Sequence, residues 1–242
     1  PTAIAAAIRP ETRMILLNSP NNPTGAVYSR RTLEGVADLC RRHDLWLISD
    51  EVYWTLDAKG EHLSPRALDG MAERTLVVNS LSKSHGMTGW RVGWLTAPAE
   101  MIARLTNLNL VSSYGMVDFV SRAAIAAAEK GHGVEEIAAR YRARRKTFVE
   151  AISDLDGVCV RGAEGSMYVM LDISRVNPDC EAFAWDLLEA ERIAVLPGTS
   201  FGNAAVGHVR ISMCQDETVL KEAAARLRRF ILRQQQERSA AE

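Results

Sequence analysis

Three apolar runs decide what this chain can fold into. "RMILLNSP", "LWLISDEVY" and "AERTLVVNSLSK" are each long enough for a buried strand, and each ends in a cluster of polar residues. Between the first two lies "SRRTLEGVADLCRRHD". There Leu33, Val36, Ala37, Leu39 and Cys40 share one face of a helix that Ser29 is placed to cap. A fourth strand-like run, "RVGWLTAP", follows. Strands alternating with helices specify an α/β fold, a parallel sheet covered on both faces. In such sheets ligands bind beyond the carboxyl ends of the strands. The polar clusters at those ends are therefore the first place to look for chemistry.

Around this frame the chain divides in two. "TAIAAAI" reads as a short leading helix. From about Ala99 the pattern is helical, with "PAEMIARLTNLNLV", "MVDFVSRAAIAAAEK" and "GVEEIAARYRARRKTFVEAISDL" in succession. The texture then changes. "GVCVRGAEGSMYVMLDIS" reads as two strands around Gly162 and Gly165, "CEAFAWDLLEAER" as a helix, "IAVLPGTSFG" and "GHVRISMC" as strand-like, and "DETVLKEAAARLRRFILRQQQ" as a closing helix with a frayed tail. We place a large domain over residues 1–139 and a small α+β domain over 140–242, with the boundary inside the long helix near Arg140.

Several function classes are set aside on bulk grounds. With 47% hydrophobic and 24% charged residues the chain has the make-up of a soluble globular protein. A net charge of −1 gives no electrostatic case for nucleic acid or an anionic membrane. No apolar run approaches the ~20 residues that span a bilayer. Cys40, Cys159, Cys180 and Cys214 are scattered without a C-x-x-C spacing, as in a reduced, cytoplasmic protein with neither disulfides nor a zinc site. The basic run "RYRARRK" reads as a solvated helix face, or as partners for Glu135 and Glu136.

The strand ends carry Asn22, Asp50, Tyr53 and Lys83: one amide, one carboxylate, one phenol, one amine. Lys83 is either an ordinary loop lysine or one held at a strand end for covalent chemistry. The set as a whole suits an aromatic nitrogen heterocycle that bears an aldehyde. An amine forms a Schiff base with the aldehyde, a carboxylate keeps a ring nitrogen protonated, and a phenol and an amide bond a ring oxygen. Ser80, Ser82 and Arg91 are donors suited to a phosphate. Taken singly, Asp50 could be a turn cap, Tyr53 a packed aromatic, and Arg210 a side chain snorkelling from an edge strand.

Four segments in order, "NNPTG", "SDEVY", "SLSKSHGMTGWRVG" and "GHVRIS", together with "VLPGTSFG", resemble the class I/II aminotransferases that use pyridoxal 5′-phosphate. The resemblance covers essentially the whole chain. It implies fold type I: here the C-terminal half of a large, mainly parallel-sheet domain, followed by a small C-terminal domain. It also implies roles. Lys83 would form the Schiff base and then move the substrate proton. Asp50 would pair with the ring nitrogen. Tyr53 and Asn22 would bond the ring oxygen. Ser80, Ser82 and Arg91 would hold the phosphate, with the glycines after Lys83 letting the backbone turn beside it. Arg210 would grip the substrate α-carboxylate, with Asn22 at the same substrate site. Glu51 and His85 are given no chemical role, Asn21 shapes its turn, and Trp90 and Trp94 are read as core packing.

The family's phosphate-binding small-residue loop, ring-stacking aromatic and N-terminal segment cannot be placed in this sequence. The 242 residues are therefore expected to belong to a longer chain, and alone to fold poorly and bind cofactor weakly because of an open sheet edge. Within the family, "RRHDLWLISDEVY", "GEHLSP" and "NSLSKSHGMTGWRVGW" are most like arginine–pyruvate aminotransferases. Aspartate, aromatic and alanine aminotransferases, a carbon–sulfur lyase and an aminotransferase-like regulator domain stand as alternatives. The family implies a cytoplasmic homodimer acting on small molecules, with "SSYGMVDF" (Asp118 within it) reaching toward a neighbouring site.

Overall fold

A computed structural model describes residues 1–131 and 133–241. The chain forms two compact units, residues 1–20 with 27–138, and residues 21–26 with 139–242.

The first unit is built on a four-stranded sheet in the order β1 (Met14–Asn18), β2 (Trp46–Asp50), β3 (Thr75–Ser80), β4 (Gly93–Thr96). Pairs β1–β2 and β2–β3 are parallel. β4 runs antiparallel to β3, so the sheet is mixed but mainly parallel, as expected. The chain between them holds only the one-turn helix α3 (Leu81–Ser84) and a 3-10 turn, with no crossover helix to carry it back to the start of β3. Helices α1 (Thr2–Ala7), α2 (Arg30–Arg42), α4 (Ala99–Ser113) and α5 (Asp118–Lys130) complete the unit, with the first turn of α6 (Val134–Ile152).

Helix α2 forms as its pattern dictates. Ser29 Oγ accepts from the Thr32 N–H at 3.2 Å, and Arg41 and Arg42 in the last turn complement the helix dipole. Its buried residues are the five of the predicted face, and Leu33, Val36, Ala37 and Cys40 among them pack with Ile15, Leu17, Leu45, Leu47 and Met71. Strand alternation turns Met14 and Leu16 to the opposite face of β1, where they are 53% and 68% exposed. Expected cover on both faces is thus met on one face only at this strand. Trp90 and Trp94, expected in the core, are 43% and 44% exposed; Trp94 stands on the edge strand β4, and Trp90 ends a surface turn.

The second unit holds an antiparallel sheet in the order β5 (Cys159–Arg161), β6 (Tyr168–Asp172), β8 (His208–Ser212), β7 (Leu196–Pro197). Helices α6, α7 (Cys180–Glu191) and α8 (Glu217–Ala241) accompany it. Its core includes Phe148, Ile152, Val169, Leu171 and Val209, with Phe183 and Phe230 edge to face at 5.2 Å. Asp179 caps α7 through the Glu181 and Ala182 N–H groups. β7 is only two residues long, because Pro197 lacks the N–H to continue a ladder and a 3-10 turn, Gly198–Phe201, follows. Arg145, read as solvated, is instead 4% exposed, and its Nη1 donates to the Ser166 carbonyl at 2.7 Å. The tail expected to fray is helical through Ala241, while residue 242 lies outside the described residues. Strong helix formers favour this, and Gln235 Nε2 ties the last turns to the Asp156 carbonyl at 2.7 Å.

Candidate active site

In the first unit the carboxyl ends of β2 and β3 lie side by side and bring most of the singled-out residues to one edge of the sheet. The alternation of "SDE" sends Ser49 and Glu51 to the buried face and leaves Asp50 half-buried at the strand end. Burial pushes the Asp50 carboxyl above its ordinary range. The Val52 N–H, donating at 3.2 Å, pulls it back, and the negative charge of Glu51 raises it further. Among the described residues no lysine, arginine or histidine pairs with Asp50. Tyr53 follows in the turn, 5% exposed. Lys83 stands in α3 immediately after β3, half-buried, its Nζ 5.9 Å from the centre of the Tyr53 ring.

Helix α3 is fixed at its start. Ser80 Oγ accepts from the Ser82 N–H at 3.0 Å and donates to the Val92 carbonyl at 2.8 Å. This hydroxyl acts as a cap, and its proton is already placed. Ser82 Oγ makes no hydrogen bond among the described residues. Arg91 sits in the left-handed region at φ 56°, exposed, with Nη1 donating to the Thr88 carbonyl at 3.0 Å. Gly86 takes φ 64°, a conformation that suits glycine in the turn after the lysine. Glu51 and His85 have structural partners: Glu51 gathers Ser49, Ser64 and His62, and His85 Nδ1 meets Ser84 Oγ at 2.8 Å. Asn21 closes its own turn, its Oδ1 accepting from the Thr24 hydroxyl at 2.8 Å.

The second unit brings Asn22 and Arg210 together. Arg210 Nη1 donates to Asn22 Oδ1 at 2.8 Å. Loop 21–26 is seated against the β5–β6 turn by close backbone approach. Gly165 N–H donates to the Gly25 carbonyl at 2.7 Å, and a Cβ on Gly162 would stand 2.1 Å from the Thr24 carbonyl oxygen. Two side chains that sequence reasoning missed complete this group. The Arg210 guanidinium carbon lies 4.0 Å from the centre of the Tyr168 ring and 4.8 Å from that of Phe201. Sheet register explains the first contact. Arg210 is paired with Met170, so Tyr168, two residues away on the same face, is its diagonal neighbour. The only signal in the sequence was an aromatic at each of two distant places.

Comparison with known proteins places these groups in context. The model of the family "Aminotransferase class I and II" matches residues 1–227. The arginine–pyruvate transaminase AruH of Pseudomonas aeruginosa is 46% identical over 225 residues, 93% of this chain and 57% of that protein. The aspartate/prephenate aminotransferase of Thermus thermophilus is 39% identical over 235 residues, 96% of this chain and 60% of that protein. Among solved structures, the aromatic aminotransferase from Pyrococcus horikoshii OT3 superposes with a TM-score of 0.92 at 35% identity, covering 97% of this chain and 64% of that one. The chain thus spans less than two thirds of the length of these relatives. A family match over nearly all its residues makes this chain a member of the class I and II aminotransferases.

Proposed function

We propose that this chain supplies the cofactor lysine and the substrate-binding arginine of a pyridoxal-phosphate-dependent aminotransferase. It would move an amino group from an L-amino acid, arginine being the leading donor, to a 2-oxo acid such as pyruvate. The observation that carries the reading is the placing of Lys83, Tyr53 and Asp50 at the ends of adjoining strands β2 and β3. Arginine and pyruvate are put first because the AruH relative is 46% identical over 93% of the chain.

The donor set fits the cofactor. Lys83 offers a primary amine to an aldehyde, and Tyr53 a phenol to a ring oxygen. Asp50 is a half-buried carboxylate with a raised pKa, and a cationic partner such as a protonated ring nitrogen would stabilise its charged form. When bound, pyridoxal phosphate supplies an electron sink for the pair left on the substrate α-carbon. Lys83, half-buried with its Nζ 5.9 Å from the centre of the Tyr53 ring, is the amine that takes and returns the α-proton. Ser82 and Arg91 are the phosphate donors we favour, with Ser80 holding the start of their helix. Arg210 binds the substrate α-carboxylate through its guanidinium fork. Asn22 turns Oδ1 to Arg210, so its amide N–H₂ is the end that donates.

We also propose a cytoplasmic homodimer that serves small molecules and neither nucleic acid nor membrane. Exposed Leu108, Val111, Tyr114 and Phe119 on and after α4 support a subunit contact, and among the described residues no helix is long and apolar enough to cross a membrane. The test is the visible absorbance of the full-length protein with pyridoxal phosphate, titrated with L-arginine and then pyruvate. Bleaching by arginine and recovery with pyruvate are expected. Bleaching by aspartate but not arginine would move the donor. No visible band at all would overturn the reading.

A further inference from the structure

We infer that Tyr168 and Phe201 are positioning residues that hold the Arg210 guanidinium ready for a carboxylate. The inference rests on the role proposed for Arg210 and deepens it.

A lone arginine on a strand is a poor receptor. Its long side chain samples many rotamers, and a ligand must overcome that freedom on binding. Here three contacts restrict it beforehand. The Tyr168 ring centre lies 4.0 Å from the guanidinium carbon, within stacking distance, and Phe201 lies at 4.8 Å. Asn22 Oδ1 takes one guanidinium N–H at 2.8 Å. With rings packed on the cation and one N–H committed to Asn22, the remaining N–H groups form a fork aimed at a planar anion.

Each partner is itself anchored. Tyr168 opens β6, and its N–H donates to Ser166 Oγ at 3.2 Å, while buried Arg145 grips the Ser166 carbonyl at 2.7 Å. Phe201 closes the 3-10 turn that begins at Gly198, where a Cβ would stand 1.8 Å from the Ala205 carbonyl oxygen. Asn22 is carried on the loop seated against Gly162 and Gly165. The guanidinium is thus supported from three stretches of chain, none of them adjacent to it in sequence.

The experiment changes each ring separately in the full-length holoenzyme, with Tyr168→Leu and Phe201→Leu set against the conservative Tyr168→Phe and Phe201→Tyr. The direct readout is the dissociation constant of propanoate, a carboxylate with neither amino nor oxo group, by ligand-observed NMR. Each leucine variant should weaken propanoate by about fivefold to thirtyfold, and each aromatic variant should restore it to within about twofold of wild type. Michaelis constants for donor and acceptor should rise together in the leucine variants, with kcat within about threefold and the melting temperature unmoved. Leucine variants that bind propanoate as wild type does, or losses that follow a fall in melting temperature, overturn the inference. So does a wild-type protein that does not bind propanoate. If propanoate weakens as expected but no amino acid changes the cofactor spectrum, the positioning role stands and the aminotransferase reading falls.

Discussion

Glu51 Oε2 and His62 Nε2 lie 3.0 Å apart in a cluster where Glu51 is 4% exposed and its other oxygen accepts from both Ser49 and Ser64. This cluster lies behind the β2 end that presents Asp50. Glu51→Ala would leave buried Ser49 and half-buried Ser64 and His62 without their acceptor. We expect a loss of about 3 kcal/mol of unfolding free energy by urea titration. A change within about 0.5 kcal/mol would show that the cluster is not a support.

Asp50→Asn separates a cost in folding from a gain in chemistry. In the cofactor-free protein, folding raises the Asp50 pKa above its unfolded value, chiefly by burial. The folded state then binds that proton more tightly, so this group's contribution falls as pH rises past the unfolded pKa and through the raised one. The cofactor-free Asn variant should therefore melt higher than wild type at neutral pH, with the gain shrinking toward pH 4. The loaded variant should keep its cofactor and lose most of its rate. A rate equal to wild type would mean that another acid serves the ring nitrogen.

Lys83→Ala should remove the visible band of the bound cofactor and cut turnover by about 10³-fold or more. Absorbance and steady-state rate are read on the same sample. Turnover near the wild-type value would refute the assignment of Lys83.

Arg210→Lys keeps the charge and discards the fork. Michaelis constants for every amino acid and every 2-oxo acid should rise together, by about tenfold or more. An effect confined to one substrate side chain would make Arg210 a specificity residue instead.

Gly162→Ala tests the seating of loop 21–26. Gly162 has φ 71°, and the added Cβ would stand 2.1 Å from the Thr24 carbonyl oxygen. Gly60, at φ 68° with nothing within 4 Å, is the control for backbone strain alone. Gly162→Ala should destabilise by about 1–3 kcal/mol beyond Gly60→Ala and should weaken carboxylate binding through Asn22. Equal effects of the two changes would mean that the loop yields freely.

The cap and the buried face of helix α2 were both legible, because a 3.6 period and a serine before it need no distant partner. The strand ends at Asp50 and Ser80 were legible for a similar reason: apolar runs stop where polar residues begin. What escaped depends on pairing between remote segments. The contact of Tyr168 with Arg210 follows from the β6–β8 register, which no local pattern encodes. Arg145 looked solvated because the carbonyl that receives it, Ser166, is far along the chain. Trp90 and Trp94 were misplaced because bulk alone does not say which way a turn or an edge strand faces.

Loop 21–26 is encoded between two elements of the first unit yet folds with the second. The two units are therefore not beads on a string, and no single cut in the gene separates them. A fragment starting at residue 139 would take Arg210, Tyr168 and Phe201 but leave behind the Asn22 amide that accepts from Arg210. Swapping the second unit between relatives would require transplanting "NNPTGA" as well. The short motif and the distant strand should thus be inherited as one piece, although more than a hundred residues of chain lie between them.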